Sequence, residues 1–167
     1  MKTFKNNLLL KLKNFTMICM IIMLTWSLFG CSIDKEKADI YDNNKSILQE
    51  GDKYSFYHRD GEADEKHIDI KYNSFYGVQT LWVIQIEQES EIKIDYNSLV
   101  KSGNFKVVLV TPEQEITTIA EQSSKGAFIV AAPKGKYRVK IVGKNAIGNI
   151  QVDLLTHEEN KISVQEN

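Results

Sequence analysis

Residues 136–155 read Lys-Tyr-Arg-Val-Lys-Ile-Val-Gly-Lys-Asn-Ala-Ile-Gly-Asn-Ile-Gln-Val-Asp-Leu-Leu, and their pattern decides the fold. Tyr137, Val139 and Ile141 alternate with Lys136, Arg138 and Lys140; further on, Ile150, Val152 and Leu154 alternate with polar residues. A period of two is that of a pleated strand with one face buried; a helix would repeat every 3.6 residues. Gly143 and Gly148 bracket what reads as a connection, so two strands are expected, 136–142 and 149–155. Their apolar residues should face one core.

The same signal recurs upstream. Strands are expected over 66–72 (Ile68, Ile70 and Tyr72 on one side), 79–87, 91–96, 105–110, 115–121 and 126–131. Leu81, Trp82, Val83, Ile84 and Ile86 are apolar on both faces, which marks a central strand. Thr111-Pro112-Glu113-Gln114 is a turn, with Pro where its fixed φ is needed. Many short strands with turn residues between them predict an all-β fold, a single antiparallel β-sandwich of jelly-roll type spanning 53–156. A polar tail, 157–167, follows.

The N-terminus has another grammar. Met1–Asn14 carries Lys2, Lys5, Lys11 and Lys13 and no acid; Phe15–Phe29 carries no charge. A basic stretch, a short apolar run and a small residue describe a secretory signal over 1–30, and the run is short for a spanning helix. Its end, Leu28-Phe29-Gly30-Cys31, resembles the lipobox of bacterial lipoproteins, although Phe29 is bulkier than usual there. The resemblance implies a diacylglyceryl group on the Cys31 thiol, cleavage before Cys31, and a domain held at the cell membrane on its extracytoplasmic face, anchored stably by more than one acyl chain.

Residues 31–52 are polar and charged, with Ile40, Ile47 and Leu48 too sparse to define a face. They read as a flexible lipidated tether, within which a short helix over 38–48 could form. Residues 1–30 hold four of the 21 Lys and Arg and none of the 22 acids, so the mature chain has 17 basic against 22 acidic residues, a charge of −5. That sign argues against a nucleic-acid partner. Cys19 leaves with the signal, so no disulfide framework exists and a packed core must supply stability.

From Ser90 to Leu155 the order of features is similar to the bacterial pre-peptidase C-terminal type of domain. The matching pieces are Glu91–Tyr96, Gly103–Pro112, Ile116–Val130, Gly135-Lys136-Tyr137-Arg138-Val139 and Gly148-Asn149-Ile150-Gln151-Val152. The resemblance implies a jelly-roll-like sandwich with an accessory role, binding or spacing beside secreted enzymes. No functional residue of that family maps here.

Candidate chemistry is thin. There is no Gly-x-Ser-x-Gly and no free thiol in the mature domain, and the histidines are His58, His67 and His157. The densest ligand cluster runs from His58 to His67: Asp60, Glu62, Asp64 and Glu65 could supply oxygens to calcium, and the two histidines could serve zinc. The spacing is not that of an EF-hand, and a solvated loop is the simpler account. Tyr54, Phe56, Tyr57, Tyr72, Phe75, Tyr76 and Trp82 could form a sugar platform or pack a core; Trp82 reads as buried, and Phe75-Tyr76-Gly77 as the exposed candidate. Lys136, Arg138 and Lys140 share one face about 7 Å apart, within a Debye length of about 8 Å. With Lys134 and Lys144 they read as an ordinary solvent face, partly neutralised by Asp153 on the next strand, or as a docking strip for anionic wall polymer or lipid headgroups. The expected function is a membrane-anchored, extracytoplasmic binding or accessory module of the cell envelope, not an enzyme and without cofactor. Its partners would be the membrane, through Cys31, and a cell-wall polymer or envelope protein. The rivals are an envelope hydrolase and a purely structural protein.

Overall fold

The computed structural model of the chain describes residues 32–155 and 161–164. The signal segment, Cys31 and His157 lie outside the described residues. The chain divides after Lys35, and the unit from Glu36 onward carries the fold. Its elements are α1 (Ser32–Ala38, which begins before that division), a 3-10 turn (Asp39–Asp42), α2 (Asn44–Leu48) and strands β1 (Lys53–Ser55), β2 (His58–Ala63), β3 (His67–Ile86), β4 (Ser90–Val110), β5 (Ile116–Glu121), β6 (Ser124–Ala132), β7 (Gly135–Leu155) and β8 (Lys161–Val164).

The fold is an all-β antiparallel sandwich, built from three long strands rather than many short ones. β7 is the central strand, paired along its length with β3 on one side and β4 on the other. Shorter strands complete the edges: β2, β1 and β8 along successive parts of β3, and β6 then β5 along β4. The expected strands 66–72 and 79–87 are the two ends of β3; 91–96 and 105–110 are the ends of β4; 136–142 and 149–155 are the ends of β7. Gly143 and Gly148 thus sit inside a strand and do not flank a hairpin.

Each long strand changes its inward parity partway along. Ile68, Ile70 and Tyr72 face the core from one end of β3, then Phe75, then Leu81 with Trp82, Ile84 and Ile86. The β3–β7 register shifts between Tyr72 and Phe75, Phe75 and Gly77, and Thr80 and Trp82. The β4–β7 register shifts between Val100 and Ser102 and between Ser102 and Asn104. One extra residue in a ladder bends the strand and exchanges its faces. Both ends of each strand thereby present apolar residues to a single core, in which Tyr137, Val139 and Ile141 lie with Ile150, Val152 and Leu154 as expected.

Aromatic rings fill the bend. Tyr72 stacks on Phe105 at 4.7 Å and Phe56 on Phe75 at 4.5 Å between ring centres. A Cβ at Gly143 would lie 2.2 Å from Phe75 Cδ1, so glycine there lets the ring cross β7. Phe75 is therefore core, not an exposed platform. Trp82 is fully buried, as expected, and its Nε1 donates to the Asp64 carbonyl at 2.8 Å.

The stretch read as a solvated tether folds as well. Ile40, Tyr41 and Ile47 are buried with Val78, Val108, Val110 and Val142, on the outer side of one half of the sheet. From Glu36 to Asp52 the chain is a strap across that face, and the folded unit starts well before Lys53. Three apolar residues at irregular spacing escape a periodicity test, yet they suffice to seat a segment with only short helical turns.

Candidate functional site

The sandwich has two outer faces, and the structure treats them oppositely. Residues at Arg138 and Lys140 alternate with the inward Tyr137, Val139 and Ile141, so they point outward on β7. They do not reach solvent. Lys140 is 0% and Arg138 4% exposed, because the strap covers them. Lys140 Nζ donates to the Gln49 carbonyl at 2.6 Å and lies 3.7 Å from Asp52 Oδ1. Asp52 is held in turn by the Thr80 backbone N–H at 2.8 Å and hydroxyl at 2.7 Å. Arg138 Nη2 donates to the Leu48 carbonyl at 3.0 Å and to Gln114 Oε1 at 3.3 Å, while its buried Nη1 has no hydrogen-bond partner among the described residues.

The clasp extends beyond those two. Lys136 pairs with Glu50 at 3.1 Å and Lys144 with Asp42 at 3.0 Å. Lys106 donates to the Tyr41 carbonyl at 2.9 Å and sits over the Tyr41 ring. Tyr41 donates to Glu121 at 3.0 Å, and Lys53 pairs with Glu36. Burial pushes the Lys140 ammonium below its usual range, with Asp52 opposing the shift. The hydrogen bond from Lys136 holds the Glu50 carboxyl down. The solvent-face reading is thus corrected for Arg138 and Lys140, which are buried under the chain's own acidic segment, while Lys136 stays exposed and pairs with Glu50 of that segment. Asp153 does not neutralise the row, since Asp153 lies at the far end of the same strand.

The outer face of the other half is open. It is crossed by β2, β3, β7, β4 and β6, and its residues align in rows: His67, Asp153, Asp95, Ala127, and beside them Glu62, Asp69, Gln151, Asn97, Lys125. A shallow groove of about 400 Å³ runs between Asp95, Asn97, Lys125, Gly126, Gln151 and Asp153. A smaller one of about 210 Å³ adjoins it, lined by Asp60, Glu62, His67, Asp69 and Lys71. Side chains are ordered across the strands: Gln151 Nε2 donates to Asp69 Oδ2 at 2.9 Å, and Asn97 Nδ2 to Gln151 Oε1 at 3.3 Å. His67 Nδ1 and Asp153 Oδ1 are 2.6 Å apart, and that bond raises the imidazole pKa. Asp95 is half-buried opposite Asp153.

The carboxylates considered for calcium do not converge. Asp60 and Glu62 are spread along β2, which pairs with β3 and is a strand where a loop was expected. Asp64 Oδ1 accepts the backbone N–H groups of Lys66 and His67, both at 2.7 Å, which holds its carboxyl below the usual range. Glu65 stands in the same turn, exposed. Among the described residues no group of three or more His, Cys, Asp or Glu side chains is placed to hold a metal ion. Of the aromatic cluster, Tyr57 is 85% exposed, but Phe75, Tyr72 and Trp82 are buried and belong to the core. No sequence motif marks Asp95, Asn97 or Gln151 as a site, and Asp153 reads there only as a counter-charge to the basic row. Their outward parity was legible; that β7 would lie between β3 and β4 and bring them together was not.

No family model matches the chain, and no curated protein matches it. Solved structures of low similarity exist. The C-terminal CBM6 domain of the laminarinase LamC from Zobellia galactanivorans is 14% identical at a TM-score of 0.31, covering 59% of this chain and 93% of that one. A family 29 carbohydrate-binding module solved with mannohexaose is 14% identical at 0.35, covering 68% and 85%. The exo-β-1,3-galactanase of Phanerochaete chrysosporium is 11% identical at 0.38; 64% of this chain spans 28% of that enzyme. At such scores these likenesses carry no ligand or activity across to this chain.

Proposed function

We propose that this protein is a lipid-anchored, non-catalytic accessory module displayed on the extracytoplasmic side of the cell membrane, which meets its partner through the groove over Asp95, Gln151 and Asp153. The observation that carries the binding part is the contrast between the two outer faces. One is sealed by the strap, while the other keeps a half-buried carboxylate, ordered amides and Lys125 open to solvent. An open face with side chains already held by neighbours loses little entropy when a ligand arrives. Asp95 and Asp153 would repel a polyanion, so the fitting ligand is an uncharged, hydroxyl-rich polymer of the envelope. Anchoring rests on Leu28-Phe29-Gly30-Cys31.

The test is chemical-shift titration of the mature chain carrying Cys31→Ser with neutral envelope polysaccharides. Shifts should concentrate on Asp95, Lys125, Gln151 and Asp153 and vanish in Gln151→Ala. Shifts confined to the strap, or none with any polymer, would refute the groove. Anchoring is tested separately: Cys31→Ala should leave the membrane fraction or accumulate unprocessed.

A further inference from the structure

We infer that the acidic strap turns the expected tether into a leash of a few residues, so that a chain lipidated at Cys31 holds its domain close against the bilayer. The inference rests on the anchoring reading above. Its independent observation is the clasp. Glu36 pairs with Lys53, Asp42 with Lys144 and Glu50 with Lys136, and Ile40, Tyr41 and Ile47 are buried between them. Lifting the strap would return three large apolar side chains to water. In the docked state the Gln49 and Leu48 carbonyls accept from the Lys140 ammonium and the Arg138 guanidinium, which offsets the cost of burying those charges. The docked state therefore dominates.

The reach follows from the length of the chain. At about 3.3–3.6 Å per residue, the five steps from Cys31 to Glu36 span at most about 18 Å. A tether free as far as Lys53 would span up to about 75 Å. A domain of this size is roughly 35 Å across, so its partner must lie within about 50 Å of the bilayer surface. A component of the outer wall layers is then out of reach. A component close to the membrane is not.

Two measurements on the full lipidated protein decide this. Trypsin applied to intact membranes should release a domain whose first residue is Glu36 or Ala38, with Lys45 and Lys53 uncut. A fragment beginning at Ser46 or Tyr54 would show the strap undocked and overturn the leash. Second, energy transfer from a dye at Lys101→Cys to an acceptor in the bilayer is compared with and without twenty Gly/Ser residues inserted between Lys35 and Glu36. The insert adds about 25 Å of mean reach and should cut transfer by about half or more. Unchanged transfer also overturns the leash. Protein that never sediments with membranes sinks the anchor reading itself, and the leash with it; protein that sediments but is cut after Lys45 sinks the leash alone.

Discussion

Lys140 and Asp52 stand 3.7 Å apart with side chains 0% and 7% exposed, a buried ion pair joining the N-terminal part of β7 to the end of the strap. Taking such charges out of water costs several kcal/mol per ion, and their attraction repays it only when further hydrogen bonds are in place. Here Gln49 and Thr80 supply them. Removing one partner should therefore be worse than removing both. Asp52→Ala is expected to cost about 3–5 kcal/mol, whereas Lys140→Met with Asp52→Ala should recover much of the loss. Chemical denaturation of the single and double variants checks this. A double variant as unstable as the sum of its singles would mean that the pair is not the linkage.

Ile47 gives a cleaner contrast between tether and strap. A side chain in a solvated tether changes stability by no more than about 0.5 kcal/mol on truncation. Ile47 is fully buried against Val78, Val108 and Val142, so Ile47→Ala should cost about 2–5 kcal/mol. A midpoint shift too small to measure would return residues 36–52 to the status of a tether.

Gly143 should be irreplaceable while Phe75 is present. Its added Cβ would meet the ring at 2.2 Å, well inside contact distance. Gly143→Ala is expected to destabilise by about 1–3 kcal/mol, the usual scale for overpacking. Phe75→Leu in the same chain should relieve part of that penalty despite its own cavity cost, and a thermodynamic cycle over the four proteins reads the coupling. Strict additivity would mean that the bend is set elsewhere.

Val139, fully buried on the inward side of β7, tests the core itself. Val139→Ala should cost about 1–3 kcal/mol through lost burial and a residual cavity. A loss below about 0.5 kcal/mol would place the side chain at the surface, where substitutions are nearly neutral.

His67 offers a pH signature in the groove. Its bond to Asp153 raises the folded-state pKa above the unfolded value of about 6.5. A raised folded pKa means that the protonated pair contributes stability fully below about pH 6.5 and loses it as pH rises through the folded pKa. Both side chains are about half exposed, so the contribution is small and screened by salt. The direct measurement is an NMR titration of the imidazole, whose midpoint should fall in Asp153→Asn. An unchanged midpoint would break the assignment.

The alternation of Ile68, Ile70 and Tyr72, of Ile92 and Ile94, and of Tyr137, Val139 and Ile141 is enough to place those residues in a β core, because a pleat presents every second side chain to the same side whatever the strand pairs with. The signal is local, and so the sandwich class and its central apolar strands were legible. What lay beyond it depended on contacts between distant parts of the chain. The bulges that let Leu81 and Trp82 face inward together, and that merge six expected strands into β3, β4 and β7, are set by register against a partner strand. Arg138 and Lys140 looked like a solvent face because isolated cations belong in water. They are buried because folding brings the Leu48 and Gln49 carbonyls and the Asp52 carboxylate onto them from some ninety residues upstream. The groove arises in the same way, since Asp69, Gln151 and Asn97 are 28 or more residues apart in sequence and form one hydrogen-bonded row only when β7 settles between β3 and β4. Burial of a charge and assembly of a polar row are properties of pairs of segments, and no single segment encodes its partner.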